Sequence, residues 1–241
     1  MTRRRWIAGE WSEDSAVLRK EQAAHLARVL RARVGQEFDI VAGETVRRGV
    51  IETIAEDAVM FSLHEEVEAA DALPLVIGLG IIRFERMEWA IEKLTELGIA
   101  GIVPLAAERS EKHLVQSATK RVERWRKIAH ESAQQSRRGD VPEISVPISS
   151  AEWLKQPLDG VQLLLSESER VGSLGAALDA AETNPAKTIY AAVGPEGGWT
   201  EREQAGFSKQ GWKSVSLGPR ILRAETAAIV VASLVSAWLE R

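Results

Sequence analysis

The sequence predicts an α/β protein: a mainly parallel sheet with helices on its faces, preceded by a small β-barrel. Three observations predict it. Beyond residue 71 the chain repeats continuous apolar runs, LVIGLGII, GIVPL, VQLLLS, TIYAAV and SVSLG, as strands covered on both faces of a parallel sheet require. Helical segments fall between those runs, in the alternation that builds βαβ units. Before residue 71 the signals are those of short strands separated by glycine or acidic turns. A chain of 241 residues suits two modest domains, taken here as 1–71 and 72–241.

The elements follow in order. Residues 20–31 have helical character, and 35–41, 46–54 and 58–63 are β-rich. The acidic link EVEAADALP closes this part. LVIGLGII opens the larger domain, and 86–97 form an amphipathic helix with Met87, Ala90, Ile91, Leu94 and Leu97 at three-four spacing before Gly98 ends it. GIVPL completes the first βαβ unit. A second helix, 119–136, sets Val122, Trp125, Ile128, Ala129 and Ser132 on one side and leaves Arg121, Arg124 and Lys127 largely on others. The last segment, AETAAIVVASLVSAWLER, is apolar almost all round but shorter than the roughly 20 residues of a membrane span, which predicts a buried or subunit-interface helix.

Composition excludes several classes of function. The 45% hydrophobic and 27% charged fractions are those of a soluble globular chain, and no membrane segment is expected. The opening MTRRRWIAGEW reaches Glu10, Glu13 and Asp14 with no apolar stretch between, so no secretory signal is expected either. The absence of cysteine excludes disulfides, thiolate metal sites and a cysteine nucleophile, and fits a cytoplasmic location. His25, His64, His113 and His130 lie far apart and outside any HExxH spacing, so no metal is expected. The net charge of −4 conceals a segregation: residues 109–138 hold nine Lys or Arg against three Glu, whereas 51–72 hold seven acids and no Lys or Arg. A basic segment inside an acidic protein is the footprint a phosphate backbone calls for; a solvated helix face gives the same count.

Two loops carry the chemistry. VGPEGGWTEREQ follows the strand TIYAAV and runs into a helix whose Thr200 and Glu203 make a capping box. The loop therefore sits at the carboxyl end of a strand, where open α/β sheets bind ligands, and its glycines let backbone groups come close to one. A tight turn accounts for one or two of those glycines equally well. No Gly-Lys-Ser/Thr follows, and Gly194, Gly197 and Gly198 do not make GxGxxG, so the common nucleotide-phosphate loops are not indicated. Glu196 would repel a phosphate and suits a neutral or cationic ligand. The second loop, SLGPRILRAETAA, starts at Ser216, again between a strand and a helix. Its Arg223 and Glu225 admit two readings, a structural ion pair or groups of a site.

With HESAQQSRRGDVPEI, RRRWI, HLARVLRARVGQEF and MEWAIEKLTELGIAGIVPL, these loops make nearly the whole chain resemble the RsmE-type family of 16S ribosomal RNA uridine N3-methyltransferases, within the SPOUT superfamily. The resemblance implies a trefoil-knotted sheet whose two loops wrap S-adenosylmethionine, and a PUA-like, RNA-binding barrel over 1–71. It implies that Leu165, Ser166, Gly194, Gly197, Leu217, Gly218, Ile221, Leu222 and Arg223 surround that cofactor. Methyl transfer to uracil N3 needs the ring nitrogen deprotonated and held in line. Arg223 is the candidate to stabilise charge on the uracil carbonyls, and Glu225 or Glu196 to orient or accept the proton; fixing the loop geometry is the other role open to both glutamates.

For RNA contact the candidates are Arg3, Arg4 and Arg5 beside Trp6, with Arg137 and Arg138 after the basic helix. The partners implied are ribosomal RNA of the small subunit and a second copy in a homodimer. A SPOUT ribose 2′-O-methyltransferase and a non-catalytic RNA-binding ribosome-assembly factor of the same fold are the alternatives. The chain departs from the family pattern in IIRFERME, where Arg83 stands for a lysine, in Trp199 for a more usual phenylalanine, and in RSEKH after the second strand.

Overall fold

The structure, a computed structural model, describes residues 5–169, 171–181 and 187–241, so Arg3 and Arg4 lie outside the described residues. The chain divides into two compact units, Met1–Asp71 with His130–Val141, and Ala72–Ala129 with Pro142–Arg241.

In the first unit, β1 (Arg5–Ile7), β2 (Glu10–Trp11) and β3 (Ser15–Arg19) precede α1 (Lys20–Ala24), and β4 (Glu37–Ala42), β5 (Thr45–Ile54) and β6 (Ala58–Glu66) follow it. They form one six-stranded sheet in the order β1-β4-β5-β6-β3-β2. Only β1 pairs in parallel; the other ladders are antiparallel, and β5 is bulged against β6. The helix expected over 20–31 starts as α1 and continues as a π-helical turn, His25–Val29, with Ala23 and Leu26 buried against Trp6, Leu18, Ile40 and Phe61.

The second unit runs β7 (Leu73–Gly80), α2 (Phe84–Glu96), β8 (Ile99–Ala106), α3 (Lys112–Ala118), α4 (Val122–Gln135), β9 (Glu143–Ile144), β10 (Ile148–Ser149), α5 (Ser150–Trp153) and β11 (Gly160–Leu165). It ends with α6 (Leu174–Asp179), β12 (Thr188–Val193), α7 (Glu201–Lys209), β13 (Lys213–Val215) and α8 (Ala224–Leu239); the last residues of α4 group with the first unit. The sheet order is β10-β8-β7-β12-β11-β13, with β9 beside β8, and every ladder is parallel. This is why the strand runs are apolar without alternation: Leu75, Ile77 and Leu79 of β7 are wholly buried, and so is Leu163 of β11.

Helix α2 buries Met87, Ala90, Ile91 and Leu94, the stripe its spacing predicts, and Gly98 at φ +86 provides the left-handed residue that stops it. Helix α8 packs on α2, β7, β12 and α6 through Ala224, Ala228, Val231, Ala232 and Val235. Burial on all sides, which its composition suggests, is not what the chain adopts: Leu234 is 46% exposed, and the second face of α8 is uncovered in the single chain. Among the described residues no helix is long and apolar enough to cross a membrane.

An aromatic cluster anchors the far side of the sheet. Trp153 lies 4.9 Å from Trp212, which lies 5.0 Å from Phe207, which lies 5.1 Å from Trp199, ring centroid to centroid. Gly78 makes room for it, because a Cβ there would stand 2.3 Å from Trp153 Cζ3. Gly78→Ala is therefore expected to destabilise the protein by about 1–3 kcal/mol through overpacking, and Gly78→Ala with Trp153→Leu to recover part of the loss, both measured by urea unfolding.

Candidate active site

The loops that leave the carboxyl ends of β11, β12 and β13 enclose a cavity of about 590 Å³. Close backbone approach shapes it. Pro195 passes over the end of β7 so tightly that a Cβ on Gly80 would stand 2.5 Å from its nitrogen. One residue back, a Cβ on Gly194 would meet the Trp199 indole nitrogen at 3.2 Å. Trp199 is folded inward there, and its Nε1–H donates to the carbonyl of Leu165 at 3.1 Å, stitching the glycine loop to the end of β11. Gly198, at φ +65, completes the turn by donating its N–H to Pro195 at 2.8 Å. Arg109, after β8, donates to the carbonyl of Gly197 at 2.9 Å. In the loop after β13, the Ser216 hydroxyl accepts from the Gly218 N–H at 3.1 Å and holds Gly218 at φ +111.

The helix that leaves the glycine loop is fastened by one carboxylate. Glu203 caps α7 by accepting from the Thr200 N–H at 3.0 Å, while the Thr200 hydroxyl accepts from the Glu203 N–H at 3.2 Å. Its other oxygen accepts from the Glu108 N–H at 3.0 Å and from the Ser150 hydroxyl at 2.9 Å, so these two and the Thr200 N–H make three donors that compensate a buried charge. Beside it, hydrogen bonding from Arg202 holds the Glu108 carboxyl below the usual carboxylate range.

Leu165, Ser166, Gly194, Gly197, Leu217, Gly218, Ile221, Leu222 and Arg223 all line the cavity, and so does Glu196. Glu225 does not. It is the second residue of α8, its side chain is 6% exposed, and its nearest cation is Arg86 of α2, whose Nε lies 3.8 Å from Oε1. The ion-pair reading of Arg223 with Glu225 is corrected accordingly: Arg223 is the extended, exposed N-cap of α8, and the cation paired with Glu225 is Arg86. Arg86 also donates from Nη1 to Glu196 at 3.3 Å, so one guanidinium ties the glycine loop to the start of α8. Among the described residues the Glu225 Oε2 atom is buried with no hydrogen-bond partner; Glu225 sits in the first turn of α8, where the helix dipole favours a negative charge. Sequence reasoning passed over Arg86 because it sits on the polar side of an amphipathic helix, where a charge is the default. It also missed Arg109, Glu167 and Ser168, which line the cavity from loops without a motif, and Arg220, inside the second loop.

The residues expected to touch RNA are not alike. Arg5 and Arg138 are both 8% exposed in the first unit. Arg5 donates to the carbonyl of Arg137 and lies 3.9 Å from Asp39, and Arg138 pairs with Asp140 through two nitrogens. Burial lowers the Arg5 pKa from its ordinary value. Arg137 is exposed, at φ +59. Among the described residues no cluster of His, Asp and Glu is spaced to hold a metal ion.

Residues 69–236 match the model of a protein family described as an RNA methyltransferase domain. The chain belongs to the RNA methyltransferase family. Within this family it is 34% identical to a Ribosomal RNA small subunit methyltransferase E of Synechocystis over 233 residues, 95% of this chain and 75% of that protein. It is 31% identical to the protein of the same name in Bacillus subtilis, over 90% of this chain and 87% of that one. In three dimensions it is similar to a Ribosomal RNA small subunit methyltransferase E from Neisseria gonorrhoeae bound to S-adenosyl methionine, with a TM-score of 0.85 and 27% identity over 98% of both chains. The methyltransferase-family match spans all three cavity loops.

The two carboxylates around Arg86 make its removal costly. Arg86→Ala should destabilise the fold by about 1–3 kcal/mol by leaving Glu225 without its cation, and Glu225→Gln in that background should restore part of the loss. Denaturant unfolding of both single variants and the double variant measures the coupling; strictly additive losses would show that the pair does not interact.

Proposed function

We propose that this chain transfers the methyl group of S-adenosylmethionine to N3 of a uridine in small-subunit ribosomal RNA. One observation carries the reading: the three-loop cavity of this RNA methyltransferase chain, whose structural neighbour from Neisseria gonorrhoeae holds S-adenosyl methionine. The residues present fit that group. Leu165, Val193, Leu217 and Leu222 offer apolar wall to an adenine, Glu196 and Glu167 suit a cationic sulfonium, and Arg109, Arg220 and Arg223 suit a carboxylate. A Cβ at Gly198 or Gly218 would meet no protein atom within 4 Å, so both stay small for their positive φ and leave backbone open to the cavity. When bound, the cofactor supplies an electrophilic methyl group.

The chain's own residues do the rest. Arg223, exposed on the cavity at the start of α8, stabilises negative charge on a uracil carbonyl, and the amide dipoles of α8 add to it. Glu196 lines the cavity with a side chain 38% exposed, which suits the carboxylate that accepts or orients the N3 proton. Glu225, buried behind it, holds Arg86 and through Arg86 the position of Glu196. Leu217, Ile221 and Leu222 give the cavity apolar wall.

The resemblance to the RsmE-type family extends the proposal to a trefoil knot, a PUA-like RNA-binding barrel over 1–71, a methyltransferase domain over 72–241 and a cytoplasmic location. The return of the chain to β13 beside β11, before α8 packs on β7 and α2, supports the knot. Ile221, 80% exposed, and Leu234 support a homodimer that covers α8. Among the described arginines of its set, the exposed Arg137 is the better candidate for a phosphate contact than the buried Arg5 and Arg138.

Incubation with S-adenosylmethionine and small-subunit ribosomal RNA, followed by nucleoside analysis, is expected to yield N3-methyluridine. A ribose-methylated nucleoside would overturn the N3 assignment, and cofactor binding without any product would leave a non-catalytic RNA-binding protein. Glu196→Gln should slow single-turnover transfer by about 10²–10⁴-fold if the carboxylate takes the proton, and an unchanged rate removes it from that role. Sedimentation equilibrium should give a dimer; a monomer with full activity contradicts the interface on α8.

A further inference from the structure

The first turn of α2 stands next to the cavity. Arg86, its third residue, reaches Glu196 of the glycine loop, and Arg83, the N-cap, precedes Arg86 by about 4.5 Å of helix. Between them, Phe84 is half-buried and packs against the wholly buried Trp125 of α4, with ring centroids 6.0 Å apart. The guanidinium carbon of Arg121, just before α4, lies 4.8 Å from the centroid of the Phe84 ring. An aromatic ring that is itself held by a buried tryptophan therefore fixes a planar cation at the surface, with part of its rotamer entropy already lost.

That cation is not spent inside the protein. Arg121 and Arg83 are exposed, and among the described residues neither forms an ion pair. Glu88, the acid one turn along α2, is claimed by both ends of the Arg124 guanidinium at 2.6 and 2.7 Å. Glu85 is the one acid in the first turn of α2, and Arg83 provides no side-chain cap, so no side chain of the N-cap occupies the first amides of the helix. Two exposed arginines and a positive helix end thus flank Phe84 beside the site, a combination suited to a phosphodiester oxygen pair.

We propose that Arg83, Arg121 and the first turn of α2 form a docking surface for the RNA backbone, gripping a phosphate next to the nucleotide being methylated. The proposal rests on the RNA methyltransferase reading above. Because the surface is separate from the cofactor loops, it governs RNA affinity and its salt dependence.

The test compares the wild-type protein with Arg83→Ala/Arg121→Ala, and with Lys209→Ala/Lys213→Ala as a surface control. Affinity for small-subunit ribosomal RNA, deproteinised and in intact subunits, is measured over a range of salt concentrations, and S-adenosylmethionine affinity by calorimetry. The Arg83/Arg121 pair should weaken RNA binding about tenfold or more at low salt and flatten the log–log salt slope by about 0.7 for each phosphate that the variant no longer neutralises. Its cofactor affinity should match the wild type, and the lysine control should keep the wild-type slope. Arg121→Lys should keep the slope but lose affinity, because lysine carries the charge without the planar stack. A double variant with the wild-type slope and affinity overturns the docking surface while leaving the methyltransferase reading intact. A wild-type protein that neither binds nor methylates either RNA overturns that reading, and this inference with it.

Discussion

Pro195 crosses Gly80 at a distance that forbids a side chain there, and Trp199 crosses Gly194 so closely that a Cβ would push the indole aside. The rest of the site depends on these two contacts. They bring the backbone after β12 down onto the end of β7 and let one indole N–H join the loop to the neighbouring strand. Without that closeness the loops after β11, β12 and β13 would fan out from the sheet and enclose nothing. The glycines around the cavity divide into two kinds. Gly80 and Gly194 make room for the protein itself, whereas Gly198 and Gly218 provide positive φ at the cavity wall.

Charge is arranged around this frame in two layers. At the cavity stand exposed groups, Glu196 and Arg223, which can change partners as a ligand arrives. Behind them stand buried groups, Glu225 and Glu203, whose places are set by Arg86 in one case and by hydrogen bonds from three chain segments in the other. A carboxylate that must meet a substrate has to remain reachable by water, and one that positions others has to be shielded from it. The same number of glutamates can therefore serve either end according to burial alone.

Much of the larger unit was legible because its physics is periodic. The stripe on α2, the buried side of α4 and the uninterrupted strand runs are forced by coverage on both faces of a parallel sheet, and the Thr200–Glu203 cap by the donors a helix start leaves open. The short strands β1, β2, β9 and β10 were not legible, since two or three residues carry no period. In the site, the cavity-lining glycines and leucines lay in two conspicuous loops. Arg86 and Arg109 did not, because an arginine acquires its role from whatever the fold brings beside it, here Glu196 and the Gly197 carbonyl. The burial of Arg5 and Arg138 was equally invisible: an arginine in a basic run looks solvated until Asp39 and Asp140 are placed against it.

The Glu203 carboxylate has a consequence for the order in which the chain folds. Its partners lie far away along the chain: the Glu108 amide is 95 residues distant and the Ser150 hydroxyl 53. The Thr200–Glu203 cap is local, but the carboxylate's anchorage to Glu108 and Ser150 cannot form until β8 and α5 have docked. The glycine loop, which leads into the capped helix, therefore has its full set of anchors only once three distant segments of the chain are in place.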